Sequence, residues 1–240
     1  MRSRPTRKCE SCLKSPSELR IPLEAGATTA LAYPADSSSF GATLILGHGA
    51  GAGQRSTFMV DFARAISSLG VDVITFNFPY MEQRRRIPDR APILEACYRA
   101  VIASVHARPA PKRALFIGGK SMGGRIATQI AAADPTLPIA GLVLLGYPLH
   151  PPGRHTERRD KHLPAIGRPM LFVQGARDAF GTPPELAPIV EAIGPSASIH
   201  VVAGGDHSLK LARKDPAAQA AVYDDVQRTI VEWMRTITKK

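Results

Sequence analysis

Cysteine is scarce in this chain, with three in 240 residues at positions 9, 12 and 97. So small and odd a number argues against a disulfide framework and agrees with a reducing compartment. Cys9-Glu10-Ser11-Cys12 has the spacing of half a zinc site, but no second C-x-x-C follows and Cys97 stands alone, so no metal is expected. Long hydrophobic runs are missing too. None approaches the roughly 18 residues of a membrane span, and the basic start Met1-Arg2-Ser3-Arg4 does not lead into the apolar segment of a secretory signal. The expectation is a cytoplasmic protein without a membrane partner. Acidic residues are outnumbered, 20 against 31 Lys and Arg, giving a net charge of +11 that attracts nucleic acid or anionic small molecules. That positive charge is scattered among the first twenty residues, Arg84-Arg85-Arg86, the Arg154–His162 segment and Lys239-Lys240. Aromatic residues make up only 6% of the chain and do not interleave with these segments, so no specific nucleic-acid partner is expected.

The length suits one domain, which buries roughly 70 to 75% of its unfolded surface. Residues 1–16 are charged, contain Ser and Pro and show no period; they read as a disordered basic tail, with a folded domain over 17–240. Glu18–Glu24 and Thr28–Tyr33 alternate apolar and polar residues around Glu24-Ala25-Gly26, which predicts an opening hairpin. Thr43–Leu46, Val71–Phe78, Ala114–Ile117, Leu142–Leu145, Met170–Val173 and Ile199–Val202 are short and mostly apolar, as in strands buried on both faces. Helical spacing marks Phe58–Leu69, Ile93–Val105, Arg125–Ala133 and Gln219–Ile237. The alternation predicts an α/β fold, with a mostly parallel central sheet, helices on both faces and ligands at the carboxyl ends of the strands.

Two glycine-rich turns fall at such ends. Gly118-Gly119-Lys120-Ser121-Met122-Gly123-Gly124 lies between a strand and a helix and contains G-x-S-x-G, a pattern that sets a serine on a strained corner where a nucleophile is exposed. Read instead as the end of a phosphate loop, its first glycine would fall at Ala114 and the strand would have to be loop. Gly47-His48-Gly49-Ala50-Gly51-Ala52-Gly53 follows Thr43–Leu46 and approximates a dinucleotide fingerprint. The next strand then ends Asn77-Phe78-Pro79, without the acidic residue that holds a ribose. No cofactor is expected.

A serine nucleophile needs a base and a group that orients the base. Asp178, after the Met170 strand, and His207, after the Ile199 strand, supply both types in the order Ser, Asp, His. Strand, G-x-S-x-G, acidic loop and terminal histidine loop in this order resemble the α/β-hydrolase family, and within it the small dienelactone-hydrolase-like branch, over about residues 17–238. The resemblance implies a single-domain α/β-hydrolase fold without a large cap domain. It further implies Ser121 as nucleophile, His207 as general base, Asp178 as orienting acid, and the backbone NH groups of Met122 and Ala50 as the oxyanion hole. The implied activity is cleavage of a small ester, thioester or lactone through an acyl-enzyme. Relatives of this fold in chromatin complexes make a catalytically silent scaffold the alternative.

Asp206, next to His207, is the rival acid, disfavoured because adjacent residues rarely face each other across a hydrogen bond. His48 is either a substrate contact or a turn histidine bonded to backbone. The proline-stiffened segment Tyr147–Leu163, which carries His150, is expected to overhang the site. Met81–Pro92 is expected opposite, where Arg84 either receives an acidic substrate or belongs to a solvated basic loop. The expected partner is therefore a small acyl compound, with a carboxylate-bearing one included.

Overall fold

The computed structural model describes residues 15–36, 39–108 and 113–239. The tail reading and Cys9 and Cys12 fall outside them, apart from residues 15 and 16. The eight strands are β1 (Ser17–Pro22), β2 (Ala27–Tyr33), β3 (Ala42–Gly47), β4 (Asp72–Phe76), β5 (Ala114–Lys120), β6 (Gly141–Leu145), β7 (Met170–Gly175) and β8 (Ala197–Val202). They form one sheet in the order β1-β2-β4-β3-β5-β6-β7-β8. The β1–β2 hairpin and the β2–β4 pairing are antiparallel, and every pairing from β4 to β8 is parallel.

Strand side chains alternate between faces, and the sheet separates two cores on that period. Ile45, Ile117, Leu142, Leu144 and Phe172 enter one core. Leu44, Leu46, Phe116, Val143, Leu145, Leu171 and Val173, their neighbours in the same strands, enter the other. The first core is covered by α3 (Ala91–His106), α4 (Met122–Ala133) and α5 (Pro183–Ile193), through Leu94, Tyr98, Val101, Ile126, Ile130 and Leu186. The second is covered by α1 (Thr57–Ser68) and α6 (Pro216–Thr238), through Met59, Phe62, Ile66, Val226, Ile230 and Met234. Each of these side chains removes apolar surface from water, worth about 1.5 to 3 kcal/mol for a fully buried Leu, Ile or Phe. That gain makes the wholly apolar strands stable only between two helical layers.

Helix α5 and the single turn α2 (Pro79–Glu82) are absent from the sequence reading. Pro183, Pro184 and Pro188 mask the periodicity of α5, yet the first two occupy N1 and N2, where a missing NH costs nothing. Thr182 and Glu185 close a reciprocal capping box at its start. The β6–β7 connection contains one 3-10 turn, Leu163–Ala165, and no cap domain is present among the described residues.

Candidate active site

Parallel strands bring the ends of β3, β5, β7 and β8 to one edge, and Ser121 sits there at the junction of β5 and α4. Its φ of 50° and ψ of −112° lie outside the conformations an L-residue prefers. Packing enforces the corner. A Cβ on Gly119 would lie 2.2 Å from the Gly47 carbonyl oxygen, and one on Gly123 would lie 2.2 Å from the same atom. Only glycine at both positions lets β3 pass this close to the turn. From Ser121 itself, the backbone NH donates to Leu145 O at 2.9 Å and the carbonyl accepts from Arg125 NH at 3.0 Å. Beneath the turn, the buried Tyr98 hydroxyl accepts from Gly118 NH at 3.0 Å and faces the carbonyls of Ile45 and Gly118 at 2.9 and 2.6 Å. Burial pushes this phenol above its usual range.

Three side chains from three strand ends meet in a continuous hydrogen-bonded chain. Ser121 Oγ lies 2.9 Å from His207 Nε2, and His207 Nδ1 lies 2.9 Å from both Asp178 carboxylate oxygens. The carboxylate can only accept, so Nδ1 carries the proton and Nε2 of the neutral ring presents a lone pair to the serine hydroxyl. Asp178 is 1% exposed. Its oxygens also accept from Phe180 NH at 2.8 Å and Gln174 Nε2 at 2.8 Å, so three donors converge on it. The Phe180 ring stacks on the His207 imidazole at 4.1 Å between centroids. By contrast, Asp206 turns back on its own loop, with Oδ1 accepting from the NH groups of Ser208 and Lys210 at 2.7 and 2.9 Å.

A cavity of about 370 Å³ opens on Ser121, walled by Ala50, Ala52, Phe58, Met59, Phe180 and His207 and bordered by Lys120 and Lys210. Among the described residues, the amides of Met122 and Ala50 are not engaged as donors in turns, loops or caps. Met122 opens helix α4, whose positive dipole end favours negative charge at that point. Lys120 Nζ donates to the His207 carbonyl, tying the nucleophile turn to the histidine loop. Burial lowers the Lys120 pKa to about 8, against the raising pull of Asp178 and Asp206. Sequence reasoning missed Lys120 because in G-x-S-x-G its position carries no required chemistry. Phe58, expected only as a helix-face residue, also reaches this wall.

Three sequence candidates lie elsewhere. His48 is 0% exposed, with Nδ1 donating to Gly49 O at 2.8 Å and Nε2 accepting from Phe78 NH at 3.0 Å. Burial lowers its pKa to about 4. Both nitrogens are spent on backbone, so the substrate contact gives way to a turn histidine that holds Gly49 against Phe78. Arg84 is an exposed turn residue with φ of 55° and does not line the cavity. Its segment instead borders a separate, largely apolar cavity of about 520 Å³ beside the β1–β2 turn, lined by Leu23, Arg85, Asp89, Ile93 and Cys97. His150 is buried and faces Glu185 at 3.1 Å rather than Ser121. No residue of its segment lines the cavity, and within the segment Tyr147 Oη donates to Arg159 O at 2.6 Å. It supports the site indirectly, since His150 NH donates to Phe180 O at 3.0 Å.

Comparison with known proteins adds a family and a fold. The family model described as "Alpha/beta hydrolase domain" matches residues 40–235. An alpha-beta serine hydrolase homologue from Coxiella burnetii superposes with a TM-score of 0.70 at 18% identity, covering 90% of this chain and 96% of that one. An a/b serine hydrolase without lid from Xanthomonas campestris gives 0.68 at 21% identity, with coverage of 89% and 94%. Dienelactone hydrolase from Anabaena variabilis gives 0.67 at 17% identity, with coverage of 90% and 97%. At these identities the likeness is one of fold.

Proposed function

Because the chain belongs to the alpha/beta hydrolase domain family, we propose that it is a cytoplasmic, cofactor-free serine hydrolase acting on a small ester, thioester or lactone. The observation that carries this reading is the Ser121–His207–Asp178 hydrogen-bond chain opening on a cavity. In this reading Ser121 Oγ attacks the acyl carbonyl as its proton passes to His207 Nε2, and Asp178 stabilises the imidazolium through Nδ1–H. The tetrahedral oxyanion faces the NH groups of Met122 and Ala50. Collapse breaks the bond to the leaving group, which takes the proton from His207. Water then repeats the sequence on the acyl-enzyme, releasing the acid and restoring Ser121.

The cavity volume, at the low end of the range for small-molecule sites, supports a short acyl group. Lys120 and Lys210 at its border, and not Arg84, carry positive charge there, which favours a carboxylate-bearing acyl group. The test is covalent labelling. A fluorophosphonate probe should modify Ser121 in the folded wild type and should leave Ser121→Ala and His207→Ala unmodified. A folded wild type that neither reacts with the probe nor turns over p-nitrophenyl acetate above the His207→Ala background would favour the scaffold.

A further inference from the structure

We propose that His150, His155 and Glu185 form a binding site for a divalent transition metal of the zinc type, apart from the serine site. The two histidines come from the connection after β6 and the glutamate from the first turn of α5. Glu185 Oε1 lies 3.1 Å from both His150 Nε2 and His155 Nδ1, and all three ligand atoms fall within 4.8 Å of one another. A tetrahedral Zn²⁺ with bonds of about 2.0 to 2.1 Å holds its ligand atoms about 3.3 Å apart. Two edges of that tetrahedron are already in place, and rotation of the exposed His155 side chain closes the third.

Hydrogen bonding behind the ligands points the same way. His150 is 1% exposed, and its Nδ1 lies 2.9 Å from the Pro151 carbonyl, which can only accept. Nδ1 is placed to donate to that carbonyl, which leaves Nε2, 3.1 Å from Glu185 Oε1, as the ring atom open to a metal. His150 Nε2 and His155 Nδ1 converge on the same Glu185 oxygen at 3.1 Å, the arrangement that one metal ion at their centre would use. Glu185 is held from behind as well, because Oε2 accepts from Thr182 NH and Oγ1 at 2.8 and 2.7 Å. A backbone carbonyl behind the histidine and a fixed second carboxylate oxygen are the outer supports that metal ligands use. Two imidazoles and one carboxylate leave a fourth position for water on the solvent side, where His155 is 67% exposed. The bound ion would tie the 150–155 segment to α5, and through His150 NH to the Phe180 carbonyl it would brace the loop whose ring stacks on His207.

The test is titration of the full chain with Co²⁺, followed by visible d–d absorption. It is run in wild type and in a Cys9→Ser/Cys12→Ser background, because those two thiols are the other plausible ligands in the sequence. A band saturating at one equivalent in both is expected, lost in His155→Ala and in Glu185→Gln and displaced by Zn²⁺. His155 is a surface side chain, so His155→Ala should keep the fold, which circular dichroism verifies. Thr182→Ala should weaken binding by about 10- to 100-fold. Absence of a one-equivalent band in wild type, its survival in both ligand variants, or its disappearance in the cysteine-free background would overturn the assignment.

Discussion

His207 Nδ1 lies 2.9 Å from both oxygens of Asp178, although Asp206 is its immediate neighbour in the chain. Asp178 reaches across from the end of β7, while Asp206 bends back to cap the amides of Ser208 and Lys210. The two aspartates therefore carry separable jobs. Asp178→Asn should lower kcat for p-nitrophenyl acetate by about 10⁴, because an amide can present an NH to Nδ1 and favour the wrong imidazole tautomer. Asp206→Asn keeps an Oδ1 acceptor for the Ser208 and Lys210 amides, so it should cost no more than about 1 kcal/mol in stability, with a far smaller loss of kcat. If Asp206→Asn is the more damaging change in kcat, the orienting acid has been misassigned.

Gly123 offers a test of the strained corner that leaves every reactive side chain in place. A methyl group there would fall 2.2 Å from Gly47 O and 2.4 Å from Gly47 C, both backbone atoms that cannot swing aside. Gly123→Ala should destabilise the protein by about 1 to 3 kcal/mol in urea unfolding and should move β3 away from Ser121. Labelling by the fluorophosphonate probe should slow with it. A variant as stable and as reactive as wild type would show that the corner does not depend on this approach.

How far the sequence could be read follows from which interactions are local. The buried strands were legible because runs such as Thr43–Leu46 are short and mostly apolar, but the face each side chain takes was not, since Leu44, Ile45 and Leu46 are all apolar and only the pleat sorts them into the two cores. Ser121, Asp178 and His207 were legible because each stands just past a strand in a parallel sheet, which brings such positions together. The partner of His48 was not, since it is the amide of Phe78, thirty residues on, and nothing in Gly47-His48-Gly49 encodes it. Arg84 was misplaced for a related reason. The segment after β4 turns through Pro79–Glu82 toward β2, where Glu82 accepts from Thr29, instead of toward Ser121. The His150–Glu185 pairing was hidden because α5 itself was masked by its prolines.

His48 should leave a signature in acid stability. Burial lowers its folded-state pKa from 6.5 to about 4, so between those values the unfolded chain binds a proton that the folded chain does not. Stability should therefore fall as pH drops from about 6.5 toward 4, by about 3 kcal/mol across the window. Urea unfolding at several pH values in wild type and His48→Gln checks this. The variant should be weaker at neutral pH, having lost the bond to Gly49 O or the one from Phe78 NH, but its dependence over this window should be shallower. An equal slope in both proteins would assign the acid sensitivity to other groups.

Lys120 should make substrate preference depend on pH. Its folded-state pKa is lowered from 10.5 to about 8 by burial, so the cavity border loses this positive charge as pH rises through 8. The stability effect has the opposite sense to a loss. Between about 8 and 10.5 only the unfolded chain retains the proton, so stability should rise with pH there as the cost of burying the ammonium is relieved. For activity, the informative quantity is kcat/KM for a carboxylate-bearing aryl ester divided by that for its neutral analogue, because a general effect on His207 cancels in the ratio. Loss of one ammonium beside the carboxylate should lower this ratio by about tenfold, equivalent to about 1.4 kcal/mol. Lys120→Met should start at the lower ratio and stay flat from pH 7 to 9. Lys210→Met, at the same border, should lower the ratio while keeping the step near pH 8. A wild-type ratio that does not change across that interval would remove Lys120 from substrate selection and leave it as the tie between the nucleophile turn and the His207 carbonyl.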